Sequence, residues 1–283
     1  MKRIPTVAGM KAEARGQSAA GRTIGFVPTM GALHEGHLSL VRESRRSAAV
    51  TVVSIFVNPL QFGAGEDLQK YPRPIERDAA LLEKEGVDVL LVPETAEMYP
   101  PGFQTTVEVE RLQENLCGAT RPGHFKGVAT VVLKLLNIVR PDIAFFGQKD
   151  AQQAVVLQRM ASDLNLDVTV RIMPIVREPD GLALSSRNAY LSAEERRAAV
   201  VLSKSLAEAR RAFKEGERRA AAVTARVRDI IAAEPRARID YVETVGWPDL
   251  ACLDIIDRDA LVSLAVYLGR TRLIDNTILA GKE

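Results

Sequence analysis

Five apolar runs of strand length alternate with amphipathic stretches through the first 175 residues, and few architectures accommodate that rhythm. The runs are Thr23 to Val27, Val50 to Val57, Val87 to Val92, Ile143 to Phe146 and Val168 to Met173. Between them lie Ile75 to Glu85, Gly127 to Val139 and Ala151 to Leu164, each with a helical pattern. Strands that are apolar throughout are those buried on both faces, and parallel neighbours need a crossover, usually a helix. The expected fold class is therefore α/β, a parallel sheet flanked by helices.

Past about residue 176 the pattern changes. The loop Glu178-Pro179-Asp180-Gly181 leads to Ser185-Ser186-Arg187-Asn188, then to charged amphipathic stretches over Ala193 to Glu215 and Ala220 to Ala233. Short alternating strands are expected near Asp240 to Val245, Leu261 to Leu268 and Arg272 to Ile278, giving a smaller α+β unit with an antiparallel sheet. The reading divides the chain into domains 1–175 and 176–283, with a hinge near 176 to 185.

Composition narrows the function. Among 283 residues, 38 basic and 36 acidic side chains leave a formal charge of +2, too balanced for a chain that lives on nucleic acid phosphates. Cys117 and Cys252 belong to no ligand spacing, so a disulfide framework or cysteine zinc site has little support, and a reducing cytoplasm is expected. Met1-Lys2-Arg3-Ile4-Pro5 leads into charged residues without the apolar core of a signal peptide. The longest apolar stretch, Ala48 to Phe62, is interrupted by Asn58, Pro59 and Gln61 and falls short of the roughly 20 apolar residues a membrane span needs.

In a parallel sheet, ligands bind at the carboxyl ends of the strands, and polar residues gather there in this sequence. Pro28-Thr29-Met30-Gly31-Ala32-Leu33-His34-Glu35-Gly36-His37 follows the first run and precedes a helical face of Leu38, Leu40 and Val41. At such a turn, free backbone N–H groups and the positive end of the helix dipole favour an anion, and two imidazoles add donors. An HxxH pair also suits a metal, and with His124 the three histidines could form a zinc site; two merely structural histidines are the plainer alternative.

Further strand ends carry Asn58-Pro59-Leu60-Gln61-Phe62-Gly63, Gly147-Gln148-Lys149-Asp150 and Val176-Arg177-Glu178. A lysine at a helix start opposes the dipole, so an anion near Lys149 explains it better than helix stability, while Asp150 is expected to cap the helix. Ser185, Ser186 and Arg187 could close over phosphate oxygens, with bidentate contact from the guanidinium. Ser192-Ala193-Glu194-Glu195 reads as a capping box. Gln61 and Gln153, neutral amides that donate and accept, suit a hydroxyl-bearing organic substrate. Arg121 to Gly127, with the third histidine, reads equally as a second anion site or a plain loop. The phosphate loop GxxxxGK[ST] and the dinucleotide fingerprint are both missing from the sequence.

Six segments in order resemble the pantothenate synthetase family: Pro28 to His37, Phe56 to Phe62, Tyr71-Pro72-Arg73, Arg121 to Phe125, Phe146 to Asp150 with Gln152-Gln153, and Asp180 to Asn188. HxGH alone is shared across the wider nucleotidyltransferase superfamily. The resemblance implies a Rossmann-like domain with a smaller C-terminal lid domain, a homodimer, and condensation of D-pantoate with β-alanine using ATP and Mg²⁺ through a pantoyl adenylate. It implies that Met30, Gly31, Ala32, Leu33, His34, Glu35, Gly36 and His37 bind ATP. Gly147, Gln148, Lys149, Asp150, Val176, Leu184, Ser185, Ser186 and Arg187 complete that set. His37, His34, Lys149 and Arg187 are the implied catalytic groups, Gln61 and Gln153 bind pantoate, and Gln61 borders β-alanine. For Mg²⁺ no ligand is assigned beyond the carboxylates Asp78 and Asp150. The sequence departs from the family at Ala64-Gly65, which is expected to loosen the loop after Gln61, and at Gln148 and Leu184.

Overall fold

The structure is a computed structural model, and it describes residues 1–280. In chain order the first half forms β1 (Lys2–Ile4), α1 (Val7–Ala19), β2 (Ile24–Thr29), α2 (Glu35–Ser47), β3 (Val50–Ile55), α3 (Ile75–Lys84), β4 (Val89–Leu91), α4 (Thr95–Met98), α5 (Leu116–Thr120) and α6 (His124–Val139). It continues with β5 (Ile143–Gly147), α7 (Ala151–Asp163), β6 (Thr169–Met173), α8 (Ala193–Ala198), α9 (Val200–Lys214), α10 (Ala220–Ala232), β7 (Ala237–Gly246), β8 (Ala260–Leu268) and β9 (Thr271–Leu279).

Six strands make one parallel sheet in the order β1-β4-β3-β2-β5-β6. Every residue of β3 is buried, as expected for a strand covered on both faces. One core joins Val27, Val53, Ile55 and Leu90 of the sheet to Leu40 and Val41 of α2 and to Ala79 and Leu82 of α3. From β2 the chain builds outward through β3 and β4 on one side, and β5 and β6 lie on the other. The carboxyl ends of β2 and β5 therefore flank the switch point of the sheet, where ligands bind in open α/β folds.

The expected strands and helices of this region are all present, with ends shifted by a few residues. Four elements carry no sequence signal of their own: the short helices α4 and α5, and β1 and α1. β1 has only three residues, two of them exposed, and α1 buries only Met10 and Ala14, so neither shows a clear period. Helix α6 begins at His124, not at Gly127: Gly123 sits in the left-handed region at φ +80 and ends the preceding turn. The helical stretch from Ala193 breaks into α8 and α9 at Ala199.

The chain divides into two compact units, one of residues 1–110, 121–147 and 156–174, the other of 111–120, 148–155 and 175–283. In the second unit β7, β8 and β9 form an antiparallel sheet packed on α9 and α10 around Leu202, Leu206, Val223, Val227 and Leu264. Residues 111–120 and 148–155 group with the C-terminal residues, and side-chain bonds tie these two segments to each other. Gln152 donates to the carbonyls of Leu112 (2.9 Å) and Asn115 (2.8 Å) and accepts from the Cys117 N–H (3.0 Å). Among the described residues no helix is long and apolar enough to cross a membrane.

Candidate active site

The turn between β2 and α2 is bent by two consecutive residues in the left-handed region, Gly31 (φ +83) and Ala32 (φ +51). A Cβ on Gly31 would lie 3.0 Å from Ile55 Cγ2 and 3.1 Å from Asp78 Oδ2, so glycine serves both conformation and space. Asp78, on α3 and 1% exposed, clamps the turn: its Oδ2 accepts the Ala32 N–H (2.7 Å) and its Oδ1 the Leu33 N–H (3.0 Å). Burial pushes this carboxyl above the ordinary aspartate value, against the pull of the two amides. Leu33 is buried in the sheet core and anchors the turn from below.

His34 is the N-cap of α2, and His37, expected in the turn, lies in the first turn of the helix. Its Nδ1 accepts the Gly36 N–H (3.2 Å), and His37 Nδ1 accepts the His34 N–H (3.4 Å), an imidazole version of the capping box. With Nδ1 accepting, each ring carries its proton on Nε2. The two rings lie 4.1 Å apart at 38°. The Glu35 carboxylate bonds Arg42 along the helix, so Glu35 contributes only backbone to the turn.

Gln61 closes a single helical turn, Pro59–Gln61, and is 9% exposed. Its Nε2 reaches Met30 Sδ (3.1 Å), and its Oε1 accepts from Asn58 Nδ2 (3.1 Å). Asn58, 1% exposed, also donates to the Gly127 carbonyl (3.1 Å) and accepts from the Tyr99 hydroxyl (2.7 Å). Burial pushes the Tyr99 phenol well above its ordinary value, so it stays a donor. A cavity of about 550 Å³ opens beside Met30, lined also by Phe56, Arg73, Asp78 and Glu94.

The Arg121 segment is a brace. Arg121 pairs with Glu66 (2.7 Å from Nε), and His124 Nδ1 lies 2.8 Å from the Gln61 carbonyl. Glu66 immediately follows Ala64-Gly65, so this ion pair fastens the end of the loop that those residues were expected to loosen. The other ring nitrogen of His124, Nε2, lies 3.1 Å from Arg121 Nη1, so both ring nitrogens are engaged in this brace. Among the described residues no group of three His, Cys, Asp or Glu could hold a metal ion.

In the second unit, Gln148–Asp150 form a tight turn before α7, and Lys149 Nζ lies 3.7 Å from Asp150. The Val176 carbonyl accepts the Leu184 N–H (3.0 Å) and the Glu178 N–H bonds the Leu182 carbonyl (2.8 Å), so the implied residues Val176 and Leu184 face each other across a short hairpin. Ser185 then caps the turn Ser186–Tyr190 by accepting the Arg187 N–H (3.2 Å). Asn188 Nδ2 fastens this turn to the Ala183 carbonyl (3.1 Å). Gln153 lies in the first turn of α7, half-buried.

The structure thus gathers Met30 to His37 with Gln61 in one unit. Lys149, Asp150 and Gln153 are grouped in the other, as are Val176 and Leu184 to Arg187. The clamp by Asp78 was not legible in sequence, because carboxylate and turn are 46 residues apart. Asn58 left a signal: Asn-Pro begins turns, and a side-chain acceptor is what such a turn needs.

A family model described as Pantoate-beta-alanine ligase matches residues 2–278. The chain belongs to the pantoate-beta-alanine ligase family. Membership makes it an enzyme, a ligase that joins pantoate to β-alanine. A pantothenate synthetase of Pelotomaculum thermopropionicum is 58% identical over 274 residues, covering 97% of each chain. The crystal structure of pantothenate synthetase from Thermus thermophilus matches with a TM-score of 0.93 at 46% identity, over 98% of this chain and 99% of that one. A pantoate-beta-alanine ligase from Francisella tularensis, solved with β-γ ATP and β-alanine, matches with a TM-score of 0.81 at 32% identity, over 98% and 97%. These matches bear out the expected α/β class with its smaller α+β unit.

Proposed function

We propose that the ligase activates D-pantoate with ATP, forming a pantoyl adenylate and pyrophosphate, and then passes the acyl group to β-alanine with release of AMP. The observation that carries this reading is the His34-His37 pair at the start of α2, both rings accepting a backbone N–H at Nδ1 in a turn clamped by Asp78, which leaves each ring's proton on Nε2. In the first step a pantoate carboxylate oxygen attacks the α-phosphorus, and the bond to the pyrophosphate oxygen breaks. Charge moves toward the leaving oxygens, where donors fixed in advance lower the barrier. We assign that work to His34, His37, Lys149 and Arg187, with His37 donating a proton.

Backbone of Met30 to His37 and of Gly147 to Asp150, with Val176 and Leu184 to Arg187, completes the proposed ATP contacts. Gln61 and Gln153 are assigned to pantoate, and Gln61 also borders β-alanine; the bond it accepts from Asn58 and the one it donates to Met30 Sδ hold the Gln61 amide ready for a hydroxyl or carboxylate. In the second step the β-alanine amine attacks the acyl carbon and the bond to AMP breaks. As a functional division we assign ATP and pantoate binding to residues 1–175, although 111–120 and 148–155 pack with the second unit, and the lid that shields the adenylate from water to residues 176–283.

Mg²⁺ is proposed to arrive on the ATP phosphates. Both Asp78 oxygens are committed to backbone amides, and Asp150 lies against Lys149, so neither presents a ready carboxylate pair. Mg²⁺ usually keeps several waters and is held by substrate phosphates together with one or two carboxylates, and none of the steps above is routed through it. A homodimer working in the cytoplasm completes the proposal.

Omitting ATP, Mg²⁺, pantoate and β-alanine in turn, while following pyrophosphate, AMP and pantothenate, tests the reading. Pyrophosphate release that requires pantoate and not β-alanine, followed by pantothenate only when β-alanine is added, is expected. Pantothenate formation without AMP would overturn the adenylate route.

A further inference from the structure

Strand β9 carries two adjacent polar residues, Asp275 and Asn276, at 1% and 2% exposure. Buried polar groups are costly unless every one is partnered. Here the partners lie in the segments to which ATP chemistry has been assigned. Asn276 Nδ2 donates to the carbonyls of Gln148 (2.9 Å) and Lys149 (3.0 Å), which spends both of its hydrogens, and its Oδ1 accepts from Gln148 Nε2 (3.2 Å). Asp275 takes both Arg177 Nη atoms (2.6 and 2.9 Å), and Arg177 also donates to the Gly181 carbonyl (3.0 Å), inside the hairpin that leads to Ser185.

We infer that Asn276 is a positioning residue for Lys149: its amide fixes the two carbonyls that set the orientation of the Lys149 backbone, and so the region its ammonium can reach. The inference rests on the reading of Lys149 as a group acting on ATP. Lysine has a flexible four-carbon stem, so the path of its backbone is what narrows where the charge falls. A misplacement of about 1 Å at a reacting centre can cost roughly 100-fold. Asp275, by bonding Arg177 and accepting the Asn276 N–H (2.7 Å), holds the same stretch of β9 in place.

The test uses the full chain with ATP, Mg²⁺ and pantoate, following pyrophosphate release and melting temperature for Asn276→Ala, Lys149→Ala and the double variant. Asn276→Ala is expected to lose about tenfold in kcat and in kcat/KM together, the signature of an interaction realised in the transition state. The double variant should fall within about threefold of Lys149→Ala, because residues acting as one unit are not additive. Parental turnover in Asn276→Ala, or losses that multiply in the double variant, would overturn the inference. Should Asn276→Ala fail to fold, Asn276→Asp keeps the volume and the acceptor for Gln148 but faces the two carbonyls with a carboxylate. It should lose at least as much turnover, and parental turnover there overturns the inference equally. Parental turnover in Lys149→Ala alone would instead remove the reading of Lys149, and the inference with it.

Discussion

Replacing Asp78 separates the clamp from the residues it clamps. In Asp78→Ala, two N–H groups on Ala32 and Leu33, which are 7% and 1% exposed, lose their carboxylate. An abandoned buried donor costs about 1–3 kcal/mol, so the pair sets a range of roughly 2–6 kcal/mol. Relief of the carboxylate's own desolvation offsets part of this, since burial already pushes its proton affinity up. The expected loss is therefore about 2–4 kcal/mol. Asp78→Asn keeps one acceptor and turns an NH₂ toward the other amide, so it should lose about 1–3 kcal/mol. Calorimetric melting gives the order parent, Asn, Ala, and pyrophosphate release should fall in the same order because His34 and His37 depend on this turn. The pH dependence has a definite sign. An acid whose folded value is raised holds its proton longer in the folded chain, so its contribution is present below the ordinary aspartate value and is lost as pH rises through the raised one. The margin of the parent over Asp78→Asn should shrink across that window and level off above it. A parental melting point and parental turnover in Asp78→Ala would refute the clamp.

Three other outcomes are expected. His37→Ala should cut pyrophosphate release about 100-fold or more while its melting point stays close to the parent's, and unchanged single-turnover rates would rule out its assigned role. In Gly127→Ala a Cβ would sit 2.2 Å from the Leu60 carbonyl oxygen and 2.7 Å from the Gln61 nitrogen, both backbone, so the Gln61 turn must move. A loss of about 1–3 kcal/mol with a raised KM for pantoate is expected, and parental values for both would contradict the packing described. Ser192 caps α8 through the Glu195 N–H (3.3 Å), with Glu195 returning to the Ser192 N–H (2.8 Å), so Ser192→Ala should cost about 1 kcal/mol of stability in denaturant unfolding, with turnover unaltered.

The amino-acid sequence by itself determined the layered α/β plan, the antiparallel unit that follows it and the six segments of family likeness. Those are written in near neighbours: apolar runs, helical periods, and residues clustered where a strand gives way to a helix. His34 and His37 were legible because strand, turn and helix cap lie within fifteen consecutive residues. Tertiary structure alone decided how the groups are held. Asp78 reaches the turn from another helix, Asn58 joins Gln61 to Gly127 and Tyr99, and Asn276 reaches back 127 residues to the Lys149 carbonyl. It also decided that residues 111–120 and 148–155 group with the second unit. Periodicity reports which face of an element meets the core, whereas a side-chain hydrogen bond between distant segments leaves no period, and only the folded chain reveals its partner.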